Sequence, residues 1–163
     1  MGNVQPDHAA ALPSHGGDAH LSAADGLIQL SHLVQGIHAR VSARHDLTPV
    51  QARLLCVLAF GPRRMVDLAT CFGVETAALT GLVDRAERRG LVTRVPVPGD
   101  RRALHVTLTA AGQQAARAFH AAATEELEQM LSPLTEPDQE TFRRAMDTII
   151  VASQGSAPTC ESR

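Results

Sequence analysis

The side chains best suited to chemistry in this sequence are its arginines. All fifteen basic residues are Arg and none is Lys. A guanidinium is a planar fork of donors that fits phosphate oxygens and guanine edges. A GC-rich codon supply accounts for the abundance of Arg, Ala and Gly, but not for where the arginines stand. Arg101 and Arg102 follow Pro98-Gly99-Asp100 in the turn between two β-like runs, 91–97 and 103–108. Arg88 and Arg89 end a polar-faced helical pattern just before it, and Arg63 and Arg64 precede a shorter one. Residues 74–108 hold six Arg against four acids, whereas residues 109–163 hold four against eight. The net charge of −2 excludes a globally basic nucleic-acid protein, so the local positive excess is what matters. Two arginines at a hairpin tip beside a helix–turn–helix pattern imply a wing that reaches into a DNA groove.

Other chemistries have less to rest on. There is no Gly-rich phosphate loop, no Gly-x-Ser-x-Gly and no paired-His metal motif, so neither an enzyme nor a cofactor is expected. His32 and His38 are six apart, a poor spacing for one helix face, and His8, His15 and His20 lie in a polar arm; no metal site is expected. Cys56, Cys71 and Cys160 show no Cys-x-x-Cys spacing and no disulfide framework, which fits a reducing cytoplasm. Cys56 and Cys71 read as inert core thiols. No 18-residue apolar run and no secretory start is present, so no membrane partner is expected.

The elements that must position the arginines follow from periodicity and caps. Leu27, Leu30, Val34, Ile37 and Val41 mark one face of a first helix. Thr48, Pro49 and Gln51 open a second with a capping box, and its apolar stripe is Ala52, Leu55, Cys56, Leu58 and Ala59. A short helix over 65–71 ends at Gly73, and another over 76–89 turns Leu79, Leu82, Val83 and Ala86 inward. After the hairpin, Thr109 caps a long helix over 110–131 with the stripe Ala111, Ala115, Ala118, Phe119, Ala122, Leu127 and Met130. Ser132-Pro133 breaks it, and Thr135 or Glu136 opens a last helix.

The expected fold is mostly α, an α+β winged helix with six helices and a two-stranded β-hairpin wing. Residues 1–20 read as a disordered arm, 21–46 as a dimerisation helix, 47–109 as the winged helix–turn–helix lobe, 110–153 as C-terminal dimerisation helices and 154–163 as a disordered tail. The flanking helices carry more apolar face than one small lobe can bury, which calls for a second copy and an intertwined helical dimer.

The run Leu47-Thr48-Pro49, Asp67-Leu68-Ala69, Gly73-Val74, Leu82-Val83-Asp84-Arg85, Arg89-Gly90-Leu91-Val92-Thr93-Arg94, Asp100-Arg101-Arg102 and Val106 to Gly112 resembles the MarR family of bacterial transcriptional regulators over residues 25–152. The resemblance implies a cytoplasmic homodimer that binds a pseudo-palindromic operator in double-stranded DNA, usually as a repressor. It also implies release by a small aromatic or phenolic acid bound between the lobes and the dimer domain. The cysteine and Tyr pair of the family's oxidant-sensing branch, and the Trp of its urate-type branch, have no counterpart in the first helix here.

The helix over 76–89 is then the recognition helix. Thr76 and Thr80 can bond a base edge or a phosphate, Ala77 can touch a thymine methyl, and Arg85 can take either. Glu75 and Gly81 stand where members often carry Ser and a large polar residue. Arg102 is the residue expected in the minor groove, braced by Asp100, with Arg101 on a phosphate. Arg63 and Arg64 can clamp phosphate, and Arg94 can do the same, pair with Asp100 or support the wing base. His38, His45 and Arg53 are the polar groups expected to line the effector pocket. The rival reading is a winged-helix protein-interaction module that does not read DNA specifically, motivated by Glu75, Gly81 and the negative net charge.

Overall fold

Several helices begin where a short polar side chain closes the first turn. Ser22 Oγ accepts from Asp25 N–H at 3.1 Å and opens α1, Ala23–Arg44. The Thr48–Gln51 capping box opens α2, Pro49–Ala59, with both reciprocal hydrogen bonds formed. A two-residue strand, β1 (Arg63–Arg64), leads into α3 (Met65–Phe72), and α4 (Thr76–Arg88) follows. Strands β2 (Val92–Val97) and β3 (Asp100–Leu108) form the hairpin, and α5 (Ala110–Leu131) and α6 (Glu136–Gln154) complete the chain. The computed structural model describes the backbone of residues 21–97 and 100–154, and their side chains apart from 100–103 and 154. The expected arm, the hairpin's Pro98-Gly99, the tail beyond 154 and Cys160 lie outside the described residues.

Mostly α with a β wing is the architecture found, but the sheet has three strands rather than two, in the order β1-β3-β2. Arg63 and Arg64 pair with Val106 and His105, so they form a sheet edge where a simple connection was expected. Strand β3 runs through Arg101 and Arg102, with an irregularity in the β2 register between Pro96 and Val97.

The core is centred in the winged lobe and extends onto α1 and α5. Leu54 and Leu55 of α2, Leu68 of α3, Leu79 and Val83 of α4, and Val92 and Val106 of the sheet are fully buried together. The inward set of α4 is the expected one. Helix α2 is buried more widely than its expected stripe: Leu54 and Val57 are enclosed, while Ala59 is exposed and Cys56 half-buried. Only Ile37, Val41 and Ser42 of α1 are buried; Leu27 is exposed.

The buried face of α5 is Gly112, Ala116, Phe119 and Ala123, so Ala111 and Ala118 of the expected stripe point outward. The reason is a junction that fixes the rotation of this helix. Thr109 Oγ1 donates to Gly90 O at 2.6 Å and accepts from Gly112 N–H at 3.0 Å. Gly112 thereby lies against the Leu91 carbonyl, whose oxygen a Cβ would meet at 1.8 Å.

Cys71 is disulfide-bonded and not an inert thiol, because pairing depends on the fold and needs no Cys-x-x-Cys spacing. Cys56 is free, and burial pushes its thiol pKa up.

Candidate nucleic-acid interface

The face of α4 that the core leaves uncovered is small and polar. Glu75, the helix's N-cap, makes no side-chain capping bond. Thr76, Ala77 and Arg85 are exposed, and Thr80 and Gly81 half-exposed. The Thr80 hydroxyl donates to Thr76 O at 2.8 Å, which leaves its lone pairs as acceptors. A Cβ on Gly81 would meet only the Arg85 Nη1 atom, at 3.4 Å. Nothing inside the chain requires a glycine there.

The hairpin stands beside this helix and is tied to it by Arg94. Arg94 Nη2 donates to Asp84 Oδ1 at 2.6 Å, Nη1 donates to Glu87 Oε2, and the Arg94 backbone N–H donates to Glu87 Oε1 at 3.1 Å. The Arg94 side chain is only 22% exposed. Burial lowers its pKa, but the Asp84 hydrogen bond and the charges of Glu87 and Asp84 outweigh that and leave it raised. Of the roles expected for it, a phosphate contact would have to compete with the two carboxylates that already hold its fork, whereas support of the wing base is compatible with them.

Arg64 donates from Nε to Asp67 Oδ2 at 3.0 Å and from Nη2 to Oδ1 at 3.2 Å, and Arg63 sits half-buried in β1. The Arg64 hydrogen bond and its charge hold the Asp67 carboxyl below the usual range, against the opposing effect of burial. The side chains of Asp100, Arg101 and Arg102 lie outside the described residues.

Arg89 also has a defined place. Its Nη1 donates to Gln51 Oε1 at 3.1 Å and its Nη2 to Asp46 Oδ2 at 2.7 Å. That links the C-terminal end of α4 to the turn between α1 and α2, where Asp46 adopts φ 54°. A Gln at the third helical position and an Arg 38 residues on give no local signal of this contact.

The three residues expected around an effector do not meet. His38 packs edge-on against Phe119, with ring centroids 5.8 Å apart. His45 caps the C-terminal end of α1. Arg53 donates to Cys71 O at 2.9 Å and stacks 4.6 Å from the Phe72 ring centre. A cavity of about 740 Å³ opens instead between the C-terminal end of α2, β3 and α5, with Gln113, Arg117 and His120 on one side and Phe60 and Leu108 on the other. Arg117 and His120 stand three apart on α5, a spacing that could have flagged them.

Residues 45–103 match the family model described as MarR family. The chain is 30% identical over 107 residues to the multiple antibiotic resistance protein MarR of Salmonella typhimurium, across 64% of this chain and 74% of that one. The chain belongs to the MarR family. It is also 35% identical over 95 residues to the homoprotocatechuate degradative operon repressor of Escherichia coli, across 58% of this chain and 64% of the relative. The chain thus spans just under two thirds of that MarR-type relative's length. The crystal structure of RV1404 from Mycobacterium tuberculosis matches with a TM-score of 0.73 at 29% identity, over 83% of this chain and 97% of that one. In MarR terms, α3 and α4 are the helix–turn–helix and the β2–β3 hairpin is the wing.

Proposed function

We propose that this protein is a sequence-specific DNA-binding transcriptional regulator, a repressor that binds a pseudo-palindromic operator as a homodimer. The observation that carries the reading is the uncovered face of α4 beside the hairpin: Thr76, Ala77, Thr80 and Gly81 leave a low, donor- and acceptor-bearing surface that a major groove can approach closely. Arg85 takes a phosphate or a base from the same face. In the wing, Arg102 enters the minor groove, Asp100 braces it and Arg101 meets a phosphate. Arg63 and Arg64 stand at the start of α3 as phosphate contacts; the Arg64–Asp67 pair is exposed and so weak enough to exchange for a phosphate. The repressor role in the name of the Escherichia coli relative supports this reading.

The homodimer rests on α6. None of its described residues is buried, and Ile149 and Ile150 are each half-exposed. A second copy covers such a helix. An effector of small, aromatic and anionic character fits the cavity beside α5, where Arg117 and His120 supply donors and Phe60 and Leu108 apolar walls.

The test is a gel shift on the DNA upstream of the protein's own coding sequence, run at two salt concentrations. Specific retardation that weakens with salt is expected, because neutralised phosphates release counterions. No retardation at low salt sinks the DNA reading and leaves a protein-binding winged helix.

A further inference from the structure

The geometry points to Arg94 as the residue that sets the reach of the wing: a positioning residue that, together with Asp84 and Glu87, holds the hairpin at the angle the recognition helix requires. This rests on the DNA-binding reading above. The hairpin is supported unevenly. On the β3 side, β1 pairs only with Val106 and His105. On the β2 side, Arg94 lies opposite Val106, at the same level. Its fork reaches two carboxylates one helical turn apart on α4, and its backbone N–H is bound by one of the same carboxylates. Side chain and main chain of one strand residue are thus fixed to one helix.

The hairpin beyond this level is a lever. Arg102 stands four strand residues past Val106, about 13 Å at roughly 3.3 Å per residue. A tilt of about 10° at the base moves Arg102 by roughly 2 Å, more than a hydrogen bond of about 2.7–3.2 Å tolerates. Arg94 also offsets two acids on the helix that faces DNA. That second effect makes a sign test available. If Arg94 served DNA only as a positive charge, removing Asp84 and Glu87 would strengthen binding. If it serves as a strut, removing them weakens binding, although two negative charges are lost.

The experiment measures affinity for a fluorescently labelled upstream duplex across a salt series, for the full chain. The variants are Arg94→Gln, Arg94→Lys, Asp84→Ala with Glu87→Ala, and the three sites together; alanine preserves the helix. Arg94→Gln and the double alanine variant are each expected to bind at least tenfold more weakly, with the salt slope of the wild type. The triple variant is expected to be no weaker than the worse of the two, and Arg94→Lys, which can reach one carboxylate, to fall between. A slope reduced by about one in Arg94→Gln, with tighter binding by the double alanine variant, overturns the strut and makes Arg94 a phosphate contact. Wild-type affinity in Arg94→Gln overturns it as well.

Amide hydrogen exchange of the free protein tests the strut without DNA. Arg94→Gln is expected to speed exchange at residues 93–97 at least tenfold and to leave α2 unchanged. Unchanged exchange at 93–97, or an equal rise in α2, overturns it. A wild type that binds no upstream DNA refutes the DNA reading alone, while the exchange result still decides the strut.

Discussion

The winged lobe and the last helix treat their apolar residues in opposite ways. From α2 to β3, the large side chains turn inward: Leu54, Leu55, Leu68, Leu79, Val83, Val92 and Val106 are almost inaccessible to water. In α6, Ile149, Ile150 and Val151 are all exposed, and only Phe142 and Met146 are even partly covered. The lobe closes its core within one chain. Helix α6 carries an apolar face that the described elements leave largely uncovered, so in the proposed homodimer its free energy of burial becomes available on association. One region stores intramolecular stability, and in the proposed homodimer the other stores dependence on concentration.

The largest effect should come from breaking the lobe. Leu54→Ala removes a fully buried side chain at the lobe's centre and is expected to cost about 2–5 kcal/mol. Denaturant unfolding should show the same loss at every protein concentration. The counterpart is Ile149→Asp with Ile150→Asp in α6. Burying each isoleucine is worth about 1.5–3 kcal/mol, so dimer dissociation should become easier by about 3 kcal/mol or more. Sedimentation should report monomer where the wild type is dimeric, and Tm should lose its rise with concentration. If α6 docks on its own chain instead, both variants will behave alike at all concentrations, and the contrast between the regions disappears.

Gly112 marks the seam where the lobe meets α5. Gly112→Ala sets a methyl against the Leu91 carbonyl, and backbone cannot turn aside as a side chain can. The expected cost is about 1–3 kcal/mol, in the range of overpacked cores. A thermal melt checks it, with Gly36→Ala as the control: that Cβ would meet only the end of Arg40, at 3.8 Å.

How much of this was legible follows from the range of each interaction. Capping is local, so Thr48 with Gln51, and Thr109, marked their helix starts correctly. The inward face of α4 was legible because Leu79, Leu82, Val83 and Ala86 contrast with polar neighbours. In α5 that contrast fails: alanines lie on every side, and the rotation is set by Gly112 against Leu91, a contact across some twenty residues of chain. Strand β1 escaped notice because it is two residues long and finds its partner some forty residues later. The uncovered face of α4 was legible as the complement of its apolar stripe. The partners of Arg94 and Arg89 were not legible, since a guanidinium among many acids shows no preference until the fold chooses its partners.

Gly81→Ala separates function from fold within the lobe. The position is helical and open, so alanine should stabilise α4 by up to about 1 kcal/mol, seen as a raised Tm. If DNA approaches the backbone at Gly81, the same variant should bind the upstream duplex more weakly although it is more stable. Raised stability with unchanged affinity would remove close approach from the interface.

The smallest expected effect concerns acid. Asp67 in the lobe and Glu140 in α6 both have carboxyl pKa values held down by an arginine three residues away, Arg64 and Arg143. A depressed carboxylate contributes stability above its unfolded pKa and loses it as pH falls through the lowered folded value, as for Asp67. The Asp67 pair is close to half exposed, so its share is screened to a few tenths of a kcal/mol. Asp67→Asn should therefore lower lobe stability slightly at pH 6, and the difference should narrow at an acid pH below the ordinary carboxylate range. Glu140→Gln should leave the lobe's unfolding curve unchanged at both, since α6 does not pack into that core. A Glu140→Gln effect on the lobe as large as that of Asp67→Asn would mean that the two regions unfold as one unit.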